Sequence, residues 1–560
     1  MVNKAKLIKI IVFTGLIIAI NWAAGFVYTR IDFTKEKKFT LQQKTKEFLR
    51  NNKHDVTITV FLDGEMPAAF KRLKNATKDI LNDYRAYAKG NFKIVFVDPL
   101  AGLNAEERDT IIHNLFELGI KPTNVKIKSD AGFAEKLVFP MALIESNGKQ
   151  MPVKLLQNLG GEASGYEQSI NNSIQNLEYI FTSSIKKVIS GYNPRIGFTE
   201  GNGEPSNAYL YDAISTLSES YVVGRVNLDE ITKEGLDSLK VLVIAKPQKA
   251  FTEEQKYKIN YFVMKGGSVI WSLDQVRFDL QELADGKSHM AIAHDLNLDD
   301  MLFEYGARIN YNLIADLNCA EIPVSTPGSP GGDIQLAPWV YFPLLFPDTA
   351  QSVVKNIDHV RAEFASTVDT IAVKHIAKHV ILTTSPYNKL HNIPKVLSLQ
   401  ELEQQPKPRE LSGKPQTIGV LLEGNFKSVF LNRPVPAKIT EQFNSVETSK
   451  PAKMVVIGDG DIFVNQISNT DGSPFSLGFD RFTQQNYGNK ALLLNLVDYL
   501  ANHDNLIELR NKEVKIRLLD KSRIKKEKIK WQLINTLLPL TLLIFFAIFQ
   551  HYYRKLKYAK

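Results

Sequence analysis

From residue 53 onward, short runs of β-branched and apolar residues alternate with longer stretches in which apolar positions recur every three or four residues. The run VTITVFL at 56–62 reads as a strand and precedes an amphipathic helix over 68–88. FKIVFVD at 92–98 is a second strand stopped by Pro99, and a second helix is expected over 106–118. NVKIK at 124–128, a hairpin over 136–155 turning at Asn147-Gly148, and a helix over 167–189 complete a βαβαββα unit. The pattern restarts at Pro194. RIGFT at 195–199, a loop EGNGEPSN, a helix to Leu217, YVVGRVNL at 221–228, VLVIAKP at 241–247, a helix TEEQKYKINYFVMKGG and SVIWSLD at 268–274 follow in order. HVILTTSP at 379–386, IGVLLEG at 418–424, KMVVIGDGD at 453–461 and a helix over 490–503 read as further members of the same sheet. The Pro/Gly-rich segments at 326–333 and 404–415 read as loops.

The chain is therefore expected to be α/β. Its first unit, 53–192, resembles a thioredoxin-like domain. Redox chemistry there needs a Cys-x-x-Cys at the start of the first helix, and that position reads Asp63, Gly64, Glu65, Met66, so the unit is a scaffold. The second, 193–508, resembles a doubly wound sheet of the glutamine amidotransferase-like or flavodoxin-like kind.

The ends have a different pattern. IIVFTGLIIAINWAAGFVY at 10–28 and WQLINTLLPLTLLIFFAIF at 531–549 are each free of charge and long enough to span a bilayer. Trp22 and Tyr28 suit an interface, and Pro539 is tolerated in a membrane helix. The first run also has the ingredients of a cleavable signal, with Ala23, Ala24 and Gly25 behind an apolar stretch; its length favours a retained anchor. The expected organisation is an anchor at 1–28, a stalk at 29–52 with a short helix after Thr40, the two α/β domains, a basic segment at 509–530, a transmembrane helix at 531–549 and a basic tail at 550–560.

Charge sharpens this picture. The net charge is +9, which invites a nucleic-acid reading. However, Lys4, Lys6 and Lys9 precede the first span, Arg554, Lys555, Lys557 and Lys560 follow the last, and 512–530 holds nine bases against three acids. These segments hold more than the whole net charge, so residues 10–511 are mildly acidic and offer no broad nucleic-acid face. Bases flanking the spans number seven in the tails and sixteen in 29–50 and 512–530. That count favours a cytoplasmic bulk, yet a loop of this length translocates largely regardless of charge, so both orientations stay open.

The single cysteine, Cys319, excludes a disulfide framework and a cysteine-clustered metal site. It has no nucleophile-elbow signature, and neither Gly-x-Ser-x-Gly nor a Walker A loop is present; Gly286-Lys287-Ser288 lacks the upstream glycine. His375 and His379 have helical metal-ligand spacing, but His379 opens a strand. No catalytic residue, metal or cofactor is therefore assigned. The candidate ligand or partner contacts are the polar groups after strands: Glu200, Asn202 and Glu204, then Asp274, then Asp459 and Asp461, because open α/β sheets bind ligands beyond the carboxyl ends of their strands. Such residues also simply build turns. A hydrolase reading would use Asp459 and Asp461 as an acid/base pair. A second group, Lys525, Lys526, Lys528 and Lys530, is placed to meet lipid phosphates or a membrane partner.

The long segments VFLDGEMPAAFKRL (60–73), LLEGNFKSVFLNR (421–433), GDGDIFVN (458–465), LGFDRFTQQNYGNKALLLNLVDYL (477–500) and LRNKEVKIRLLDKSRI (509–524), taken in this order, resemble the ABC-transporter auxiliary proteins of gliding bacteria. The resemblance covers essentially the whole chain. It implies a non-catalytic, substrate-binding component of a cytoplasmic-membrane complex with an ABC ATPase and an ABC permease, needed for surface gliding in Bacteroidota. It also implies a periplasmic bulk and cytoplasmic termini. A purely structural linker of the gliding machinery is the further alternative.

Overall fold

The computed structural model describes residues 13–16, 40–129, 132–156, 165–191, 193–325, 334–355, 357–403, 410–439, 443, 446–501, 509 and 521–558. Of the expected first span only 13–16 is described; it is helical, with Phe13 and Leu16 exposed, and the rest of that span lies outside the described residues. The chain divides into Met1–Lys512 and Glu513–Lys560.

In the larger unit, α1 (Gln43–Asn51) is the short stalk helix, starting a few residues beyond Thr40. Strand β1 (Val56–Val60), α2 (Ala68–Tyr87), β2 (Phe92–Phe96) and α3 (Ala105–Glu117) follow. Asn104 and Glu107 form a reciprocal capping box that starts α3. Then come β3 (Thr123–Ser129), β4 (Gly132–Val138), β5 (Met141–Ser146), β6 (Lys149–Lys154) and α4 (Gly165–Ser190). The sheet order is β2-β1-β5-β6, with β1 and β2 parallel and the β5–β6 hairpin antiparallel. Asn147 and Gly148 both take positive φ at 51° and 73°, as a tight hairpin turn demands. The NVKIK run departs from expectation: as β3 it pairs with β4 in a separate hairpin and does not join the sheet.

The second sheet contains β7 (Arg195–Glu200), followed by α5 (Tyr211–Ser218), then β8 (Val222–Asn227), β9 (Leu239–Ala245), α6 (Glu253–Met264) and β10 (Ser268–Ser272). After β10 the chain runs through a β-rich insertion containing β11 (Asn312–Asp316), β12 (Cys319–Ser325), β13 (Ile334–Pro347), β14 (Ile376–Thr383) and β15 (Asn388–Asn392). It returns with β16 (Thr417–Gly424), β17 (Ala452–Ile457) and α7 (Asn489–Ala501).

The strand path is β12-β13-β14-β16-β17-β10-β9-β7-β8. From β8 to β17 neighbouring strands are parallel. These five follow the 2-1-3-4-5 order of one class of doubly wound sheets. β9 from Val241 to Ala245 and all of β10 are buried, the continuous apolar reading of strands covered on both faces. The expectation of one parallel sheet is corrected beyond β17: β16, β14, β13 and β12 are antiparallel.

One hydrophobic core runs through both sheets. It takes Val56, Ile58 and Val60 from β1, Leu177, Phe181 and Ile185 from α4, Ile196 and Phe198 from β7, and Leu492 and Leu496 from α7. Asp498 on α7 reinforces the joint: it accepts hydrogen bonds from the hydroxyls of Tyr179 and Tyr221 and lies 3.4 Å from Lys187 Nζ. The insertion has its own core of Leu313, Ile322, Trp339, Tyr341, Phe342 and Leu397.

The described residues of the smaller unit form one helix, α8 (Lys521–Tyr558), with Pro539 inside it. Within its stretch Lys530–Lys557 an 18-residue window has mean hydropathy 2.0 and is unburied, and the stretch is long and apolar enough to cross a membrane. Lys528 and Lys530 are exposed; Lys525 and Lys526 lie on the same helix. Residues 510–520 of the expected basic segment lie outside the described residues.

Candidate functional site

Three of the six strand-end residues named from sequence come together. Asp274 follows β10, and Asp459 and Asp461 follow β17, its parallel neighbour; oxygens from all three carboxylates lie within 4.8 Å of one another. The glycines of Gly458-Asp459-Gly460-Asp461 make this approach sterically feasible. A Cβ on Gly458 would lie 2.2 Å from the Ser366 carbonyl oxygen, and one on Gly460 would lie 2.6 Å from Asp274 Oδ2. Gly458→Ala is therefore expected to cost about 1–3 kcal/mol, because a backbone carbonyl cannot rotate away as a side chain can. A denaturant midpoint equal to that of the wild type would show that the strand end gives way freely.

Backbone amides hold the carboxylates. Gly460 N–H donates to Asp274 Oδ1 at 2.6 Å, Asp461 N–H to Asp459 Oδ1 at 2.7 Å, and Glu363 N–H to Asp459 Oδ2 at 2.6 Å. Ser272 on β10 donates its hydroxyl to the Asp459 carbonyl at 2.6 Å. Lys246, just past β9, takes φ +47° and places Nζ 2.5 Å from Asp461 Oδ1. A lysine in the left-handed region is uncommon, and here the turn aims its ammonium into the cluster. From the insertion come Glu363 and Arg361, which are 2.7 Å apart; Arg361 Nε also lies 3.7 Å from Asp480 Oδ2.

The result is an excess of carboxylates. Among the described residues, Asp274, Asp459, Asp461, Glu363 and Asp480 face two cations, Lys246 and Arg361. Burial pushes Asp274 up to about 7, the nearby Lys246 opposing this and Asp461 adding repulsion. Burial and the charges of Asp461 and Asp274 hold the Asp459 carboxyl well above the usual carboxylate range. Glu363 is raised by burial, with Arg361 opposing and Asp461 assisting. Burial works against the Lys246 ammonium, but Asp461 and Asp274 outweigh it and raise its pKa. The network can hold a proton at neutral pH, with Lys246 Nζ already occupying the cationic position among the aspartates.

Glu200, Asn202 and Glu204 bond within their loop and to the elements that flank it. Glu200 pairs with Arg225 at 3.3 Å, Glu204 accepts the Asn202 N–H at 2.8 Å, and the buried Asn202 side chain donates to Gln255 at 2.9 Å. The Asn202 carbonyl accepts the Gln248 and Lys249 amides. His294 joins this loop to the carboxylates, its ring nitrogens 3.1 Å from the Asp274 carbonyl and 3.2 Å from that of Gln248. Cys319 is half-buried, and burial with the charges of Asp316 and Glu321 pushes its thiol up to about 12. Such a thiol remains protonated at neutral pH and is a poor nucleophile. His379 lies in β14 and His375 at its head with φ +63°, so their spacing is not that of one helix face.

Sequence reasoning did not single out Lys246, Arg361, Glu363, Asp480 or His294. Lys246 left one signal, a basic residue ending an apolar strand immediately before proline.

The fold and this strand-end network lie largely within residues 193–496, which match a family described as an ABC-type uncharacterized transport system. The chain belongs to this family of ABC transporter auxiliary proteins. It is thereby a transport-associated component, and the apolar C-terminal helix agrees with membrane association. Residues 35–145 match a domain of unknown function. An uncharacterized protein of Borreliella burgdorferi (strain B31) is 21% identical over 507 residues, spanning 87% of this chain and 86% of the relative. Among solved structures, the mmIFT52 N-terminal domain overlaps 55% of this chain and 98% of its own at 13% identity and TM-score 0.31.

Proposed function

We propose that the protein is a non-catalytic auxiliary and binding subunit of an ABC transport complex. An ATPase and a permease would be its partners, and its α/β units would contact partner or cargo outside the bilayer. The observation that carries this reading is the family match over 193–496 in a chain that also ends in an unburied apolar helix. The finer reading is a gliding motility-associated ABC transporter substrate-binding protein, similar to GldG. It rests on the long sequence segments at 60–73, 421–433, 458–465, 477–500 and 509–524, with a periplasmic bulk between two spans. Loss of surface gliding in a host strain disrupted at this gene, restored by the intact gene, is the expected result; a disruptant that glides normally would remove the motility assignment.

The 2-1-3-4-5 order of the parallel strands supports an amidotransferase-like scaffold for 193–508. The β2-β1-β5-β6 sheet supports a thioredoxin-like one for 53–192. Both lack the cysteine chemistry of those folds. The strand-end residues Asp274, Asp459 and Asp461, with Lys246, then serve as a positioning network for the loops that meet a partner. A hydrolase using Asp459 is disfavoured, because its carboxylate is fully buried and both oxygens accept backbone amides.

The bases Lys525, Lys526, Lys528 and Lys530 are assigned to anionic lipid headgroups or the permease, each base near an anionic surface contributing on the order of 1 kcal/mol. A chain ending at residue 512 is expected to leave the membrane fraction if 10–28 is cleaved and to remain there if it is a retained anchor. A periplasm-specific reporter fused at residue 300 is expected to be active, and an inactive reporter alongside an active cytoplasmic one would reverse the orientation.

A further inference from the structure

The C-terminal helix α8 carries a polar notch inside its apolar run. With 531–549 centred in a hydrocarbon core about 30 Å thick, Asn535 lies about 7 Å from the midplane, where there is no water to bond it. Pro539 sits four residues on and has no N–H, so the Asn535 carbonyl lacks the donor that an α-helix normally supplies there. Neighbouring hydroxyls do not replace it. Thr536 donates to the carbonyls of Gln532 and Leu533, and Thr541 donates to those of Leu537 and Leu538 at 3.0 and 2.8 Å. The Asn535 side chain is exposed and makes no hydrogen bond among the described residues. An open amide and an open carbonyl therefore meet at one level of the span, and both cost free energy in lipid until a neighbouring helix bonds them.

The same face continues past the span. Alternating steps of four and three residues from Asn535 run through Pro539, Phe546 and Phe549 to Tyr553 and Leu556, the spacing that holds one stripe against a partner helix. The rings of Phe549 and Tyr553 stack along it with centres 6.3 Å apart. Leu556 lies about 10 Å beyond Phe549, among Arg554, Lys555 and Lys557, and is 83% exposed. The hydrocarbon core covers the stripe as far as Phe549 and ends before Leu556.

A second copy of α8 meets both demands. Copies insert in the same direction, so two-fold pairing sets Asn535 against Asn535 at one depth. The amide N–H groups of each copy donate to the open carbonyl or side-chain oxygen of the other, and one contact satisfies both. An asparagine at a seam position is also the residue that fixes register in parallel helix pairs. Lys528 and Arg554 are exposed, and their long side chains turn to anionic headgroups, so like charges at the two ends do not bar the pair.

We propose that α8 pairs with α8 of a second copy of this chain as a parallel two-helix dimer, seamed along Asn535, Phe546, Tyr553 and Leu556. The inference rests on this helix alone and holds or fails independently of the transport reading.

The test is sedimentation equilibrium of the full-length protein in density-matched detergent micelles over a range of protein-to-detergent ratios. A reversible dimer is expected, and Asn535→Leu is expected to weaken it roughly tenfold with the melting temperature unchanged. Thr541→Leu removes a polar group that already bonds its own backbone on another face, and is expected to leave the dimer as it is. In native membranes, with Cys319 replaced by serine, Tyr553→Cys and Leu556→Cys are expected to give disulfide-linked dimers on oxidation with copper phenanthroline. His551→Cys and Lys555→Cys, on the opposite face, are not. A monomer at every ratio, a dimer that Asn535→Leu leaves unchanged, equal cross-linking at all four positions, or cross-links to a different subunit in place of the second copy would each overturn the assignment.

Discussion

Replacing Lys246 with alanine should destabilise the protein by about 3–5 kcal/mol at pH 8, the typical consequence of removing one partner from a buried ionic network. Lys246 Nζ is 2.5 Å from Asp461 Oδ1 and also faces Asp274, so its loss leaves the five clustered carboxylates with Arg361 as the nearby cation among the described residues. The loss is expected to shrink at pH 5, because protonation of Asp274, Asp459 and Glu363 relieves the repulsion that the ammonium offsets. Unfolding of the full-length variant in detergent, followed by tryptophan fluorescence at both pH values, measures the effect. A loss of the same size at both pH values would mean that Lys246 acts through packing and not through charge.

The wild type should itself become more stable as pH falls from 8 towards 5.5. Asp274, Asp459 and Glu363 have folded-state pKa values raised above the unfolded ones, Asp274 to about 7 against 3.8. Between those limits the native state binds more protons than the unfolded state, so the slope of unfolding free energy against pH is negative. This contribution is fully present below the unfolded value and is lost as pH rises through about 7. Its size is on the order of a few kcal/mol. Asp274→Asn keeps the shape and an acceptor for Gly460 N–H but removes the charge. It should therefore raise stability at pH 8 and flatten the dependence. A variant with the wild-type slope would show that the proton resides elsewhere in the network.

Much of the architecture is legible in the chain, because the parallel strands are short apolar runs punctuated by capped helices. Thr252 and Gln255 cap α6 reciprocally just where the pattern starts a helix, and SVIWS is buried at every position. The insertion was less legible. β13 carries Pro338 and Pro343, which read as breakers. The ladder accommodates them opposite Glu321 and Cys319, with a register shift between those two partners. The strand-end site was half visible. Asp274, Asp459 and Asp461 follow parallel strands and can be placed from the sheet rule alone. Glu363 and Arg361 arrive from the insertion, about ninety residues from either aspartate group, and only the folded chain brings them in. Glu200, Asn202 and Glu204 have the same sequence signature, yet they bond to one another, to Arg225 on β8 and to Gln255 on α6.

Purification of the intact chain from native membranes in mild detergent, with quantitative identification of what co-elutes, tests the central claim most directly. An auxiliary subunit of an ABC transport complex should bring with it an ATP-binding subunit and a permease in fixed ratio. A chain that elutes without any nucleotide-binding subunit, from membranes where such subunits are present and soluble in the same detergent, would contradict that role.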